Sequence, residues 1–193
     1  MIHIIRHGKT VANEKKLYCG QTNLPLSEQG ILDILEYKKR ELYPGVVDVF
    51  FTSGMLRAEE TMQLIYGQVA SEVLPQLAEF NFGSFEMKSY DNLKRQPGYQ
   101  DWINDEVGDV RCPGGECKLG FTQRVLEGFD ALLCIYRQQE AGSALLLSHG
   151  GVIVCLMEHL FPKTRNFYEW QPGPGRGYTL SYSEGGKWQW KDL

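Results

Sequence analysis

Apolar residues along this chain alternate between two periods. Short runs with strand character occur at Ile2–Ile5, Val47–Thr52 and Ala144–Ser148, and a closing pair at Gly177–Tyr182 and Lys187–Lys191. Ser183-Glu184-Gly185-Gly186 supplies a turn between the last two. Between the earlier runs the spacing shifts to the helical period. Ser27 is a candidate N-cap for a helix from about Glu28 to Leu42 with Ile31, Ile34, Leu35 and Leu42 as its apolar face, and Pro44-Gly45 stops it. Further helices are expected over Met55–Tyr66, over Leu119–Gln139 with Val125, Phe129, Leu132, Leu133 and Tyr136 on one face, and over Gly151–Leu160. Strands alternating with helices predict an α/β fold. The expected form is a three-layer α/β/α sandwich with a mostly parallel sheet and antiparallel edge strands from the final hairpin. The chain reads as a single domain over 1–193. The stretch from about Phe80 to Lys118 breaks the rhythm: it holds Tyr90, Tyr99, Trp102 and several Gly and Pro. An insertion near the strand ends would act as a lid and set substrate choice.

Composition narrows the class. A content of 42% hydrophobic and 23% charged residues describes an ordinary globular chain, and a net charge of −4 argues against a nucleic-acid partner. No apolar run approaches the ~20 residues that span a bilayer, so no membrane partner is expected. Five cysteines without a CxxC pair, and no apolar leader, point to a reducing, cytoplasmic setting and give no support to a metal site. Cys112 and Cys117, flanking a Pro-Gly-Gly turn, are the one pair placed to meet.

Two of the strand-like runs end alike. The first delivers Arg6-His7-Gly8, and the third delivers Ser148-His149-Gly150-Gly151. Ligands in open α/β sheets bind at the carboxyl ends of strands, and two imidazoles with a guanidinium there suit a phosphate ester. Neutral His7 can attack phosphorus and split one displacement into two. Arg6 offers a planar fork of donors to phosphate oxygens. Arg57, in Ser53-Gly54-Met55-Leu56-Arg57-Ala58, follows a strand and opens a helix, where free N–H groups also attract anions. His149 is placed to donate to a phosphate oxygen. For the acid that protonates the leaving oxygen, Glu79 in an aromatic segment is preferred, since desolvation can hold its proton; Glu116 is the second choice. Other features read as structural. His3 is a core or surface histidine and His159 packs within an apolar helix. Pro172-Gly173-Pro174-Gly175-Arg176-Gly177 is a loop, because its prolines lack N–H donors. Trp188 and Trp190 form one buried face of an edge strand.

Arg6-His7-Gly8-Lys9-Thr10, Arg57 in its Ser-Gly-Met-Leu-Arg-Ala setting, Glu79 before Phe82-Gly83, and Ser148-His149-Gly150-Gly151 together resemble the histidine phosphatase (phosphoglycerate mutase-like) superfamily. The resemblance runs from Ile2 to about Tyr182, and Gly20 to Gly30 is similar to the family's second signature. It implies a phosphohistidine on His7, a phosphate pocket of Arg6, Arg57 and His149, and Glu79 as proton donor. It also implies Asn13 and the Gly20-Gln21 turn beside the phosphate. Lys9 stands where acidic or amide residues are usual and is given no role. The chain is shorter than typical phosphoglycerate mutases, which favours a metal-independent, cofactor-free phosphomonoesterase acting on a small phosphorylated metabolite. Leu74 to Met87 and the turn from Tyr18 to Pro25 are similar to α-ribazole phosphatases of cobalamin biosynthesis, which makes α-ribazole 5′-phosphate the first substrate to test. A phosphoglycerate mutase-type phosphotransferase and a non-catalytic phospho-ligand-binding module are the alternatives. Aromatics of the C-terminal hairpin are consistent with a homodimer.

Overall fold

The computed structural model describes residues 1–183 and 185–193. Its centre is a six-stranded sheet in the order β3-β2-β4-β1-β5-β6. The strands are β1 (Ile2–Arg6), β2 (Val49–Thr52), β3 (Ser71–Val73), β4 (Ala144–Ser148), β5 (Gly177–Tyr182) and β6 (Trp188–Asp192). β3, β2, β4 and β1 are parallel, β5 runs antiparallel to β1, and β6 returns antiparallel to β5. The fold is therefore the expected α/β sandwich with a mostly parallel sheet.

Side chains of the central strands divide by the strand period of two. Ile2, Ile4, Phe51 and Leu146 face one layer, with Val125 and Phe129 of α6 (Lys118–Gln138) and Ile153 and Met157 of α7 (Gly150–Leu160). Ile5, Leu145 and Leu147 face the other, against Ala58 and Met62 of α3 (Leu56–Tyr66). Both faces are dry, as a parallel sheet requires.

α2 (Glu28–Lys39) is capped by the Ser27 hydroxyl, which accepts from Gly30 N. It ends before Leu42, because Arg40 closes the last turn and Glu41 takes a positive φ of 56°. Its expected apolar face is only partly used: Ile34 is buried, whereas Ile31, Leu32 and Leu35 are exposed. Helical spacing alone could not show that this helix meets the molecule through one narrow stripe. On α6 the buried positions are Phe121, Val125, Gly128, Phe129 and Leu132, and Leu133 and Tyr136 are only partly covered. The turn expected at 183–186 includes Glu184, which lies outside the described residues; beside it, Gly186 N donates to Ser183 O. β3 and a short α1 (Val11–Glu14), neither with an apolar run of its own, were not expected.

The 80–118 stretch forms a 3₁₀ turn at Gly83–Phe85, α4 (Tyr90–Leu93) and α5 (Pro97–Ile103). Phe80, Phe85, Tyr99 and Trp102 are buried and continuous with the main core. The Tyr18 backbone bonds to Met87 and Lys88, and the Tyr18 and Tyr99 hydroxyls are 2.5 Å apart. This stretch is thus packed onto the sheet's carboxyl edge by its aromatic side chains.

His159 corrects the expectation of a packing role: it is exposed in the last turn of α7. His3 is buried, with Nδ1 2.9 Å from Thr179 Oγ1. All five cysteines are free; Cys117 caps α6 by accepting from Gly120 N, while Cys112 is buried. Trp190 of the edge strand packs on Trp170, and Arg165 stacks over both rings. Among the described residues no helix is long and apolar enough to cross a membrane.

Candidate active site

Strand register builds the site. β1 and β4 pair so that Arg6 lies beside Ser148. The next residue on each strand is a histidine, and His7 N donates to Ser148 O at 2.9 Å. The two rings end 5.2 Å apart between centroids. β2, on the other side of β4, pairs Thr52 with Leu147 and then delivers Ser53, whose Oγ lies 2.7 Å from His149 Nε2. Three parallel carboxyl ends therefore converge on one point, as the open-sheet rule requires.

At His7, Nδ1 lies 2.6 Å from Gly8 O. A carbonyl oxygen only accepts, so Nδ1 carries the proton and Nε2 holds the free lone pair. Arg57 Nε donates to that Nε2 at 3.2 Å. Burial holds the His7 pKa well below its ordinary 6.5, helped by the Arg57 and Arg6 charges, while the Gly8 carbonyl opposes them. The ring is neutral, with Nε2 as the nucleophilic atom. His149 is lowered in the same way, first by burial, then by Arg57, His7 and Arg6. Ser53 Oγ accepts from Met55 N and pairs with His149 Nε2 at 2.7 Å, while His149 Nδ1 is buried without a protein partner. With the Ser53 proton given to Nε2, the neutral ring carries its own proton on Nδ1.

Arg57 is 1% exposed at the start of α3. Its Nη2 donates to Gly20 O at 2.8 Å and its Nη1 to Thr22 O at 3.1 Å. Arg6 donates from Nη1 to Pro172 O at 2.8 Å, and its Nε is a second buried donor without a protein partner. The Pro172–Gly177 loop is not a phosphate cradle. It backs the site, with Gly175 N donating to the Arg6 and His7 carbonyls. Buried donors are nearly always satisfied, so Arg6 Nε and His149 Nδ1 mark a place for an acceptor-rich group.

Glu79 is held by hydrogen bonds rather than enclosed by apolar walls. It is half-buried, Oε2 accepts from Gly151 N at 2.9 Å, and Oε1 accepts from Phe80 N at 2.9 Å. It sits at the N-terminus of α7, one residue beyond the His149–Gly150 step. A Cβ at Gly151 would overlap Glu79 Oε1. Glu116, the second choice for the acid, is engaged elsewhere: it pairs with Arg124 at 2.7 Å and accepts from Asn81 N. Gln21 Nε2 donates to Glu79 O at 2.8 Å, and Gly20 reaches the site through the Arg57 bond. Asn13 spends its Oδ1 on Thr10, in the capping box of α1. Lys9 is paired with Asp33 at 2.7 Å on the surface.

Sequence reasoning missed four supporting residues. Ser53 lies at a strand end and was findable by the rule that found the histidines. Thr61, whose Oγ1 accepts from Gly8 N, carries no local signal. Neither does Arg124, which donates to Gln76 O, Ala78 O and Glu79 O, nor Glu86. Most of their partners lie tens of residues away in the chain. Among the described residues no group of three or more His, Cys, Asp or Glu is arranged to hold a metal ion.

A sequence profile of the histidine phosphatase superfamily (branch 1) matches residues 2–193. The chain is similar to an adenosylcobalamin/alpha-ribazole phosphatase of Escherichia coli, at 33% identity over 81% of this chain and 77% of that protein. It is also similar to a 2,3-bisphosphoglycerate-dependent phosphoglycerate mutase of Rhodopseudomonas palustris, at 26% identity over 85% and 84%. The crystal structure of the alpha-ribazole phosphatase from Shigella flexneri superposes with a TM-score of 0.85 at 28% identity, covering 100% of this chain and 95% of that one.

Proposed function

The chain belongs to the histidine phosphatase superfamily, and from that premise we propose that it is a metal-independent phosphomonoesterase that works through a phosphohistidine on His7. The observation that carries this reading is the state of His7: a neutral ring, its proton fixed on Nδ1 by Gly8 O, its Nε2 beside Arg57. Nε2 attacks phosphorus, an N–P bond forms, and the P–O bond to the leaving group breaks. Arg6, Arg57 and His149 Nδ1 meet the charge on the equatorial oxygens. The Gly8 carbonyl faces the ring proton as positive charge develops. Glu79 gives its proton to the leaving oxygen. In the second half, water attacks phosphorus, Glu79 takes the water's proton, and phosphate leaves with His7 neutral again. The Gly20-Gln21 turn reaches the phosphate through Arg57, which Gly20 O holds while Glu86 takes the turn's N–H groups, and Asn13 would line the phosphate's other side.

For substrate, the reading is a small phosphorylated metabolite, with α-ribazole 5′-phosphate first. The two alpha-ribazole phosphatases matched above support it. The test is a metal-free assay over α-ribazole 5′-phosphate, sugar phosphates and 3-phosphoglycerate, with His7→Ala in parallel. Strong preference for α-ribazole 5′-phosphate, lost in the variant, is expected. Broad, weak, His7-dependent turnover would discard that substrate and keep the mechanism. Turnover that survives His7→Ala would overturn the mechanism.

A further inference from the structure

Glu86 lies outside the set of groups that would touch phosphate, yet its carboxylate collects more backbone donors than any residue in the site. Oε1 accepts from Gly20 N at 3.0 Å, Gln21 N at 3.0 Å and Phe82 N at 3.2 Å. Oε2 accepts from Gly20 N at 3.1 Å, Thr22 N at 3.2 Å and the Thr22 hydroxyl at 2.6 Å. Three successive N–H groups of one turn thus converge on a single fixed anion, a nest occupied by a side chain. The same turn presents its carbonyls the other way, and Gly20 O and Thr22 O hold both Nη atoms of Arg57. Arg57 Nε in turn meets His7 Nε2.

The local backbone is shaped for this contact. A Cβ at Gly20 would overlap Phe80 O and stand 2.8 Å from Glu86 Oε1, so only glycine lets the carboxylate close on the turn. Met87, directly after Glu86, takes a positive φ of 57°, a conformation a side chain with Cβ adopts at some cost. Its N–H bonds to Tyr18 O at 2.7 Å, fixing the other flank of the turn. Burial lowers the Arg57 pKa, and Cys19, Glu79 and then Glu86 oppose it.

We propose that Glu86 is a positioning residue for phosphoryl transfer: its carboxylate locks the Gly20–Thr22 turn, and that turn's carbonyls aim Arg57 at the phosphate and at His7. The inference rests on the phosphatase reading above. Gln in place of Glu86 would turn an amide N–H₂ toward backbone donors, so Glu86→Gln opens the nest even though its shape is kept.

The experiment is a double-mutant cycle read by calorimetric binding of orthovanadate, with kcat and KM alongside. Glu86→Gln is expected to weaken vanadate binding by about 10- to 100-fold, the range for loss of charge-assisted hydrogen bonds. In an Arg57→Ala background the same change is expected to cost less than about 3-fold, because coupled residues are not additive. Thr22→Val, which removes one bond to Glu86 and leaves the turn's carbonyls, is expected to shift binding in the same direction by about 3- to 10-fold. It stands in if Glu86→Gln does not fold. Glu86→Asp, which keeps the charge, should recover part of the affinity. An equal multiplicative loss with and without Arg57, or Thr22→Val binding as wild type, would overturn the proposal. Wild-type protein that binds vanadate yet hydrolyses no phosphomonoester would sink the phosphatase reading, and the cycle would still decide the role of Glu86.

Discussion

At His7 three neighbours divide the work: Gly8 O sets the tautomer, Arg57 and Arg6 help burial to keep the ring neutral, and Nε2 is left to react. An exposed histidine would lose its nucleophilic form as pH falls through about 6.5. This one is held below that value, so kcat/KM, which reports the free enzyme, is expected to show no loss of the nucleophile as pH falls through about 6.5; an acid limb of the kcat/KM profile with an apparent pKa near the ordinary value would contradict it. The same shift has a stability consequence of opposite appeal. For a base whose folded pKa is depressed, the unfolded chain binds more protons between the folded pKa and about 6.5, so stability rises with pH across that window. Stability from His7 and His149 is therefore complete above about 6.5 and is lost as pH falls toward their folded values, at up to about 1.4 kcal/mol per pH unit for each. Denaturant titrations between pH 7 and 5 should show this slope, and His149→Asn should flatten it. An unchanged slope in the variant would show that His149 is not buried neutral.

Elements explain which parts of the site were legible from sequence. β1 and β4 each carry an unbroken apolar run into a histidine, and parallel pairing without a register slip brings the two rings together. Arg57 was legible because Met55 and Leu56 open a helix immediately after β2. β3 is three residues long at the sheet edge with Glu72 and Val73 exposed, so it has no apolar signature. α1 is four residues held by the Thr10–Asn13 capping box, too short for a periodicity to register. The support for Glu79 was illegible for a different reason: it comes from α6 and α7, through Arg124 and Gly151. Gly151→Ala would push Glu79 off the first turn of α7. Loss of a positioned acid is expected to lower kcat by about 10- to 100-fold on alkyl phosphates, whose leaving oxygen needs a proton. The pre-steady-state burst of p-nitrophenol from p-nitrophenyl phosphate, which reports transfer to His7 and needs no proton, should change little, while its steady turnover falls with the loss of the base that activates water; a burst slowed as much as alkyl phosphate turnover would mean that the substitution damages more than Glu79. Arg124→Met leaves Gln76 O, Ala78 O and Glu79 O without this donor, and Glu116 with Asn81 N as its donor. A cost of about 2 kcal/mol follows, carried by the part-buried Ala78 and Glu79 carbonyls and the lost Glu116 pair, read as a fall of about 4–8 °C in Tm for a chain of this size.

At the scale of the whole molecule, the fold does not separate a phosphatase from a mutase. A phosphoglycerate mutase of Thermus thermophilus shares it at a TM-score of 0.74 and 24% identity, and folds host more than one chemistry. The difference lies in what the protein can hold after His7 is phosphorylated. A mutase must keep a second phosphate bound and water out while the group is returned. In the mechanism proposed above, Arg6 and Arg57 supply guanidinium charge for one dianion, and Arg57 already spends two of its nitrogens on Gly20 O and Thr22 O. Four cations on the surrounding elements are committed elsewhere: Lys9 to Asp33, Arg124 to Glu116 and three carbonyls, Arg165 to the faces of Trp170 and Trp190, and Arg176 to the face of Tyr37. A bisphosphate would bring a second dianion to a chain with net charge −4, and freeing one of these cations would cost the bonds it now makes. The phosphoenzyme should therefore lose its phosphate to water. With 3-phosphoglycerate and a 2,3-bisphosphoglycerate primer, released phosphate is expected to exceed isomerised product at all times. Isomerisation that outpaced phosphate release, and that required the primer, would place this chain with the mutases.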